Sequence, residues 1–288
     1  MKFSILFIIV ALLTSGCGEK ITSETELDST AFTVESATSM ISGLADDQSG
    51  DNYAFHQSKP WRQEFLLPSA YAASCVRPIY SSCSSQARTQ SYNSCNVGST
   101  SLLMSGSISL NYSDSLCALS ANGSSVTRSY DVTLTGIRGG NLSISSNTAT
   151  DYKNLSYGGG GRLTKTGSGW NVDILGKHKS LRVAGVELAN VSIRTLSPVA
   201  VTGSLSRASR VVTGGQIEVN YNRVAATALI QPTNLQWSNS CCHPVSGSMN
   251  LTWSRSRSGT SAVTFQGCGQ AEVNENGQVR DIELSYCE

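Results

Sequence analysis

Ser107-Ile108-Ser109-Leu110-Asn111-Tyr112 alternates small polar and large apolar residues, and this beat decides the fold class. A period of two puts every second side chain on one face, so one side can be buried while the other stays wet. The beat returns in Val132-Thr133-Leu134, Leu142-Ser143-Ile144, Trp170-Asn171-Val172-Asp173-Ile174 and Ile282-Glu283-Leu284-Ser285-Tyr286. Turn signals separate these runs: Asn122-Gly123, Gly139-Gly140-Asn141, Gly158 to Gly161, Gly214-Gly215 and Asn276-Gly277. The expected fold is all-β, an antiparallel sandwich, barrel or long curved meander of about 10–13 strands.

One block occurs three times. Gly106 to Tyr112, Gly215 to Tyr221 and Gly247 to Trp253 each start with glycine, place apolar residues at alternate positions and end on an aromatic ring. The spacings, 109 and 32 residues, are unequal and exclude a regular solenoid. The block reads equally well as an old hairpin duplication or as a common way to start a hairpin. Its aromatics fall on the apolar side and are expected in the core.

Apart from Cys17, an even set of cysteines remains: Cys75, Cys83, Cys95 and Cys117, then Cys241, Cys242, Cys268 and Cys287. Two groups of four, separated by 123 cysteine-free residues, suit a disulfide framework built in an oxidising compartment, with two bridges in each group. Cys241-Cys242-His243 is the one stretch that invites a metal. Adjacent cysteines turn poorly onto a tetrahedral ion, so no metal site is expected. In an extended strand neighbours point to opposite faces, so Cys241 and Cys242 are expected to reach different partners, Cys268 and Cys287. Ala271–Val273 and Ile282–Leu284 flank Asn274-Glu275-Asn276-Gly277 and read as a hairpin.

At the start, Lys2 precedes an almost unbroken apolar run, Phe3 to Leu13, closed by Thr14-Ser15-Gly16-Cys17. The run is too short to span a bilayer and has the plan of a secretory signal. Ending on Leu13-Thr14-Ser15-Gly16-Cys17, it resembles the signal of bacterial lipoproteins, with Thr14 where that family usually has leucine. The resemblance implies cleavage before Cys17, acyl chains such as palmitate on its thiol and new amino terminus, and, with Gly18 next, an outer-membrane destination. Residues 1–16 then form the signal peptide and 17–58 a lipidated, acidic, flexible tether. Gly18–Ser58 holds eight acids against one base, Lys20, with few large apolar groups. Leu27, Ala31, Val34, Thr38 and Ile41 do recur there at helical spacing. Residues 59–288 hold 19 bases and 12 acids and form the β domain, with a possible division into two subdomains near residue 200.

Signals for chemistry are sparse. His56 falls in the tether, His178 between Lys177 and Lys179 in an expected turn, and His243 beside a cysteine and Pro244. No G-x-S-x-G elbow, H-E-x-x-H, P-loop or dinucleotide fingerprint occurs. Gly158–Gly161 lacks the lysine and helix of a phosphate cradle and reads as a flexible loop. Basic residues cluster at Lys177, Lys179 and Arg182, at Arg207 and Arg210, and at Arg255 and Arg257. Arg255 and Arg257, expected on one strand face with Trp253, are the candidates for binding a polyanion. The reading is a lipid-anchored cell-envelope protein acting as a structural or binding module, not an enzyme, without cofactor. Its partners would be the membrane and an envelope protein or glycan, with nucleic acid disfavoured. The alternative is a lipid or lipoprotein carrier with an apolar cavity, and the third reading is a hydrolase.

Overall fold

The computed structural model describes residues 82–96, 103–136, 140–241 and 243–284, with Thr30, Ala31, Thr33, Val34, Ala37, Thr38 and Ile41 from the amino-terminal region. Cys17, Cys75, Cys242 and Cys287 lie outside the described residues, as does His56.

The strands are β1 (Ala87–Asn96), β2 (Leu103–Tyr112), β3 (Ser125–Thr135), β4 (Asn141–Ser145), β5 (Ala149–Thr150), β6 (Ser156–Tyr157), β7 (Gly160–Lys165) and β8 (Gly169–Val183). They continue as β9 (Val186–Thr202), β10 (Val211–Tyr221), β11 (Ala226–Gln236), β12 (Ser246–Arg255), β13 (Gly259–Gly267), β14 (Gln270–Glu275) and β15 (Gln278–Glu283). All but β5 and β6 join one 13-stranded antiparallel sheet in which chain order is almost spatial order. Among the expected architectures, this is the long meander. β9 runs unbroken through residue 200 and pairs with β8 and β10 along its length, so the chain does not divide there.

The alternation sorts the side chains as read from the sequence. Ile108 faces Tyr130, Leu110 faces Arg128, Ile217 faces Ile230, and Met249 faces Val263, which faces Val273. These partners share one face, and its apolar members are buried: Leu110 2%, Leu163 0%, Ile193 0%, Ile230 0% and Val263 0% exposed. Serines, threonines and asparagines such as Ser107, Thr127, Ser143 and Asn190 occupy the other face. Tyr112, Tyr221 and Trp253 close the three recurrent blocks as core residues.

The glycines opening those blocks have a common geometry. Gly106, Gly215 and Gly247 have φ of 111°, 125° and 97°, which side-chain-bearing residues rarely adopt. Each lies within a strand beside a register shift, between Tyr92 and Cys95, between Gly214 and Gln216, and between Thr233 and Gln236 respectively. Each glycine therefore faces a bulge in the neighbouring strand, where two residues oppose one, in β1, β9 and β11 respectively, and the block does not open a hairpin.

Part of the tether region departs from the flexible reading. The seven described residues between 30 and 41 are helical and form helix α1. Thr30, Thr33, Val34, Ala37, Thr38 and Ile41 are fully buried, on the i, i+3, i+4 spacing of one helix face. Val34, Ala37 and Ile41 belong to the same core as the sheet. Burying Val34 and Ile41 contributes about 1.5–3 kcal/mol each, which offsets part of the ordering entropy that acidic, serine-rich sequence otherwise fails to recover. The threonines have partners: Thr38 Oγ1 donates to the Val34 carbonyl within the helix at 2.9 Å, and Thr33 Oγ1 meets the Tyr221 hydroxyl of the sheet at 2.5 Å.

Two disulfides are described, one in each cysteine group. Cys83 bonds Cys117, and Cys241 bonds Cys268 with Cα atoms 5.6 Å apart. Cys95 is also disulfide-bonded. The carboxy-terminal hairpin forms with a shorter loop than expected: Asn274 and Glu275 pair with Val279 and Gln278, and Asn276-Gly277, with φ of 51° and 89°, make the two-residue turn.

Candidate functional site

Between β3 and β8 the sheet has one position and two occupants. β4 pairs with both neighbours at one end, and β7 pairs with both at the other. The chain leaves the sheet after β4, makes the β5–β6 hairpin, and returns as β7. This excursion packs on the polar face. Gly176 admits it, since a Cβ there would lie 2.0 Å from the Gly158 nitrogen. The flexible-loop reading of Gly158–Gly161 is corrected: Gly160 and Gly161 are the buried start of β7.

Beneath the excursion lies a closed polar network. Glu218 Oε1 accepts from Tyr157 at 3.0 Å, Arg194 at 3.0 Å and Asn220 at 3.1 Å, while Oε2 accepts from Lys153 at 2.9 Å. Asn220 also accepts from Thr227 at 2.8 Å, and Thr227 meets the Tyr152 hydroxyl. Burial pushes the Glu218 carboxyl up, but hydrogen bonds from Lys153, Asn220 and Tyr157 outweigh it, and the group titrates below its ordinary value. Tyr157 is raised far above the usual phenol range by burial and by the Glu218 charge. A carboxylate with both oxygens engaged and a phenol held protonated suit a clamp better than a proton-transfer pair. Asp151 caps the excursion, its Oδ1 accepting from the backbone nitrogens of Lys153 and Leu155.

The basic residues singled out in the sequence scatter. Arg255 ends β12 with φ of 76°, which throws its side chain to the polar side, 5.5 Å from the Tyr152 ring centre. Arg257 lies 3.6 Å from the Trp253 ring centre, pairs with Glu275 and donates to Thr30 Oγ1 at 2.9 Å. The two therefore do not share a face, and Arg257 is a staple holding α1. Lys177 and Lys179 are 2% and 1% exposed on the apolar face, and Arg207 and Arg210 are 3% and 1% exposed, so neither cluster is a solvated surface. His178 sits within β8 rather than in a turn. Its Nδ1 lies 3.3 Å from Ser192 Oγ, and burial holds it below its ordinary value against the charge of Glu187.

An open cleft of about 660 Å³ lies at the sheet end that carries both described disulfides. Its walls are Arg88, Tyr112, Cys117, Lys165, Trp170 and Leu205, with the turn Thr166-Gly167-Ser168-Gly169 along one side. Each cation lies by a ring: Lys165 Nζ is 5.9 Å from the centre of Trp170, and Arg88 Cζ is 5.8 Å from that of Tyr112. Lys165 is steadied by donation to the Ser120 carbonyl at 2.9 Å. Arg88 Nε is buried without a hydrogen-bond partner. Among the described residues no carboxylate lines the cleft. Sequence reading passed over Arg88, Lys165 and Trp170, which stand alone in the chain and meet only through the meander. Among the described residues no group of three or more His, Cys, Asp or Glu side chains could hold a metal ion.

The fold and the cleft define a single-sheet antiparallel meander with a clamped excursion and a cationic, aromatic end cleft. Comparison with family models, curated proteins and solved structures gave no match.

Proposed function

We propose that the chain is a lipid-anchored module of the bacterial cell envelope that binds an anionic glycan in the end cleft. The cleft carries this reading: two cations and the half-buried Trp170 ring, with no carboxylate among the described lining residues, suit a ligand that offers both negative charge and the flat face of a sugar ring. The packed apolar face supports binding at the rim over carriage of a lipid inside the sheet. Anchoring would follow from acylation at Cys17, and the signal sequence supports an outer-membrane location.

Two experiments test this. Cys17→Ser should abolish labelling by radioactive palmitate and release the protein to the soluble fraction, because acyl chains hold by about 0.8 kcal/mol per buried CH₂. Unchanged membrane association would count against the anchor. For the ligand, the parent should be retained on immobilised heparin with a steep salt dependence, and Lys165→Ala with Trp170→Ala should lose most of that retention. Retention equal in parent and variant would remove the cleft from the account. Release of sugar products, abolished by one point mutation, would replace binding with hydrolysis.

A further inference from the structure

The sheet has two ends, and their exposed residues differ. One end carries the turns at 183–186, 222–225, 256–258 and 276–277, and the other carries the cleft. Among the described residues, five of the eight exposed large apolar residues lie at or next to the turns of the first end: Val183 (39% exposed), Val186 (57%), Leu188 (38%), Val224 (47%) and Val279 (59%). Val183 and Val186 face each other across their hairpin, and Arg223 binds the Leu188 carbonyl at 3.1 Å, so the first two turns form one surface. Around them Arg182 pairs with Glu187, and Arg257 and Arg280 with Glu275. Arg223 and Arg255 add positive charge that no described acid at this rim pairs with. Small apolar groups at hairpin tips, flanked by arginine, suit the headgroup layer of a bilayer containing anionic lipid.

A second observation selects the same end. Thr30 of α1 is held by Arg257, in the 256–258 turn. Cys17 lies 13 residues earlier. That length of chain reaches at most about 45 Å. β9, with 17 residues, puts the two ends roughly 50 Å apart. The arm from Cys17 therefore draws the valine-bearing rim to the membrane and leaves the cleft facing away.

We propose that the rim formed by the 183–186 and 222–225 turns contacts the lipid surface directly, with Val186 and Val224 inserted among the headgroups. This deepens the lipid-anchor reading and rests on it for the orientation. The test uses the full chain, purified from membranes and returned to vesicles of phosphatidylethanolamine and phosphatidylglycerol with brominated acyl chains. Val186→Trp is compared with Leu116→Trp, a control at the other end where Leu116 is 77% exposed. Emission from Val186→Trp, less that of the parent, should shift to shorter wavelength and be quenched, while that from Leu116→Trp should do neither. Quenching at 186 no greater than at 116 overturns the proposal. Palmitate labelling of the same preparation reports the anchor separately: labelled protein without quenching at 186 rejects the rim and keeps the anchor, and unlabelled protein with quenching keeps the rim and rejects the anchor.

Discussion

Gly106→Ala puts the bulge reading to its hardest test. Gly106 has φ of 111°, and a Cβ built there falls 1.9 Å from the Asp131 carbonyl oxygen on β3. The left-handed conformation costs a residue with a side chain about 1–2 kcal/mol. The contact adds more, because β3 must retreat by roughly 1.5 Å to restore van der Waals distance, straining a ladder bond worth about 1 kcal/mol. The expected loss is about 3 kcal/mol. Gly214→Ala is the matched control: it adjoins another of the three bulges, its φ is not positive, and nothing lies within 4 Å of its Cβ position. There alanine should stabilise by about 0.4–1 kcal/mol by restricting the unfolded chain. Urea unfolding of the two variants reads the difference. If Gly106→Ala unfolds at the same urea concentration as Gly214→Ala, the glycines of the recurrent block are not required by the bulges.

Other outcomes follow from the network and the buried groups. Glu218→Ala leaves Arg194 and Lys153 without their carboxylate and should cost about 3–5 kcal/mol, with proteolysis entering first at residues 147–159. The Glu218 pKa is depressed in the fold, so its contribution is full above the unfolded carboxyl value of about 4.3 and is lost as pH falls below it. Burial lowers His243 to about 4, so the neutral ring stabilises fully above the unfolded value near 6.5, and stability falls as pH drops from there toward 4. His243→Gln should flatten the unfolding profile in that window while leaving the steeper loss below it. Replacing Cys241 and Cys268 by serine opens a 27-residue loop and should cost about 3–4 kcal/mol, read as a lower urea midpoint.

What the sequence made legible follows from which forces are periodic. Alternation through Ile108, Leu110 and Tyr112 reports burial of one face directly, and Asn276-Gly277 carries the left-handed pair its turn needs, so the strands and last hairpin were readable. The helix stripe at Val34, Thr38 and Ile41 was visible, but the acidic composition around it masked the docking. The clamp at Glu218 was not readable, because polar residues at alternate positions look like a wet face whether or not another segment covers them. Lys177 and Lys179 misled in the opposite sense, since lysines read as exposed and these two are buried on the apolar face, one of them 4.8 Å from the Tyr130 ring centre. The grouping of Arg255 with Arg257 failed on one dihedral, the positive φ at Arg255 that ends its strand.

The near-identity of chain order and sheet order bears on how such a protein is made. From β8 onward, each strand pairs with the one immediately before it, across turns as short as Ala184-Gly185 and Asn276-Gly277. A chain delivered amino terminus first through a narrow translocation channel then needs no later segment to begin folding. Each strand can dock on a template already waiting. The two described disulfides close over separations of only 34 and 27 residues, so each pair of thiols is delivered close together in time. Assembly can advance like a zipper from β1 toward β15, where Arg280, Asp281 and Glu283 put charge on the final open edge and discourage a strand from a second molecule from continuing the row.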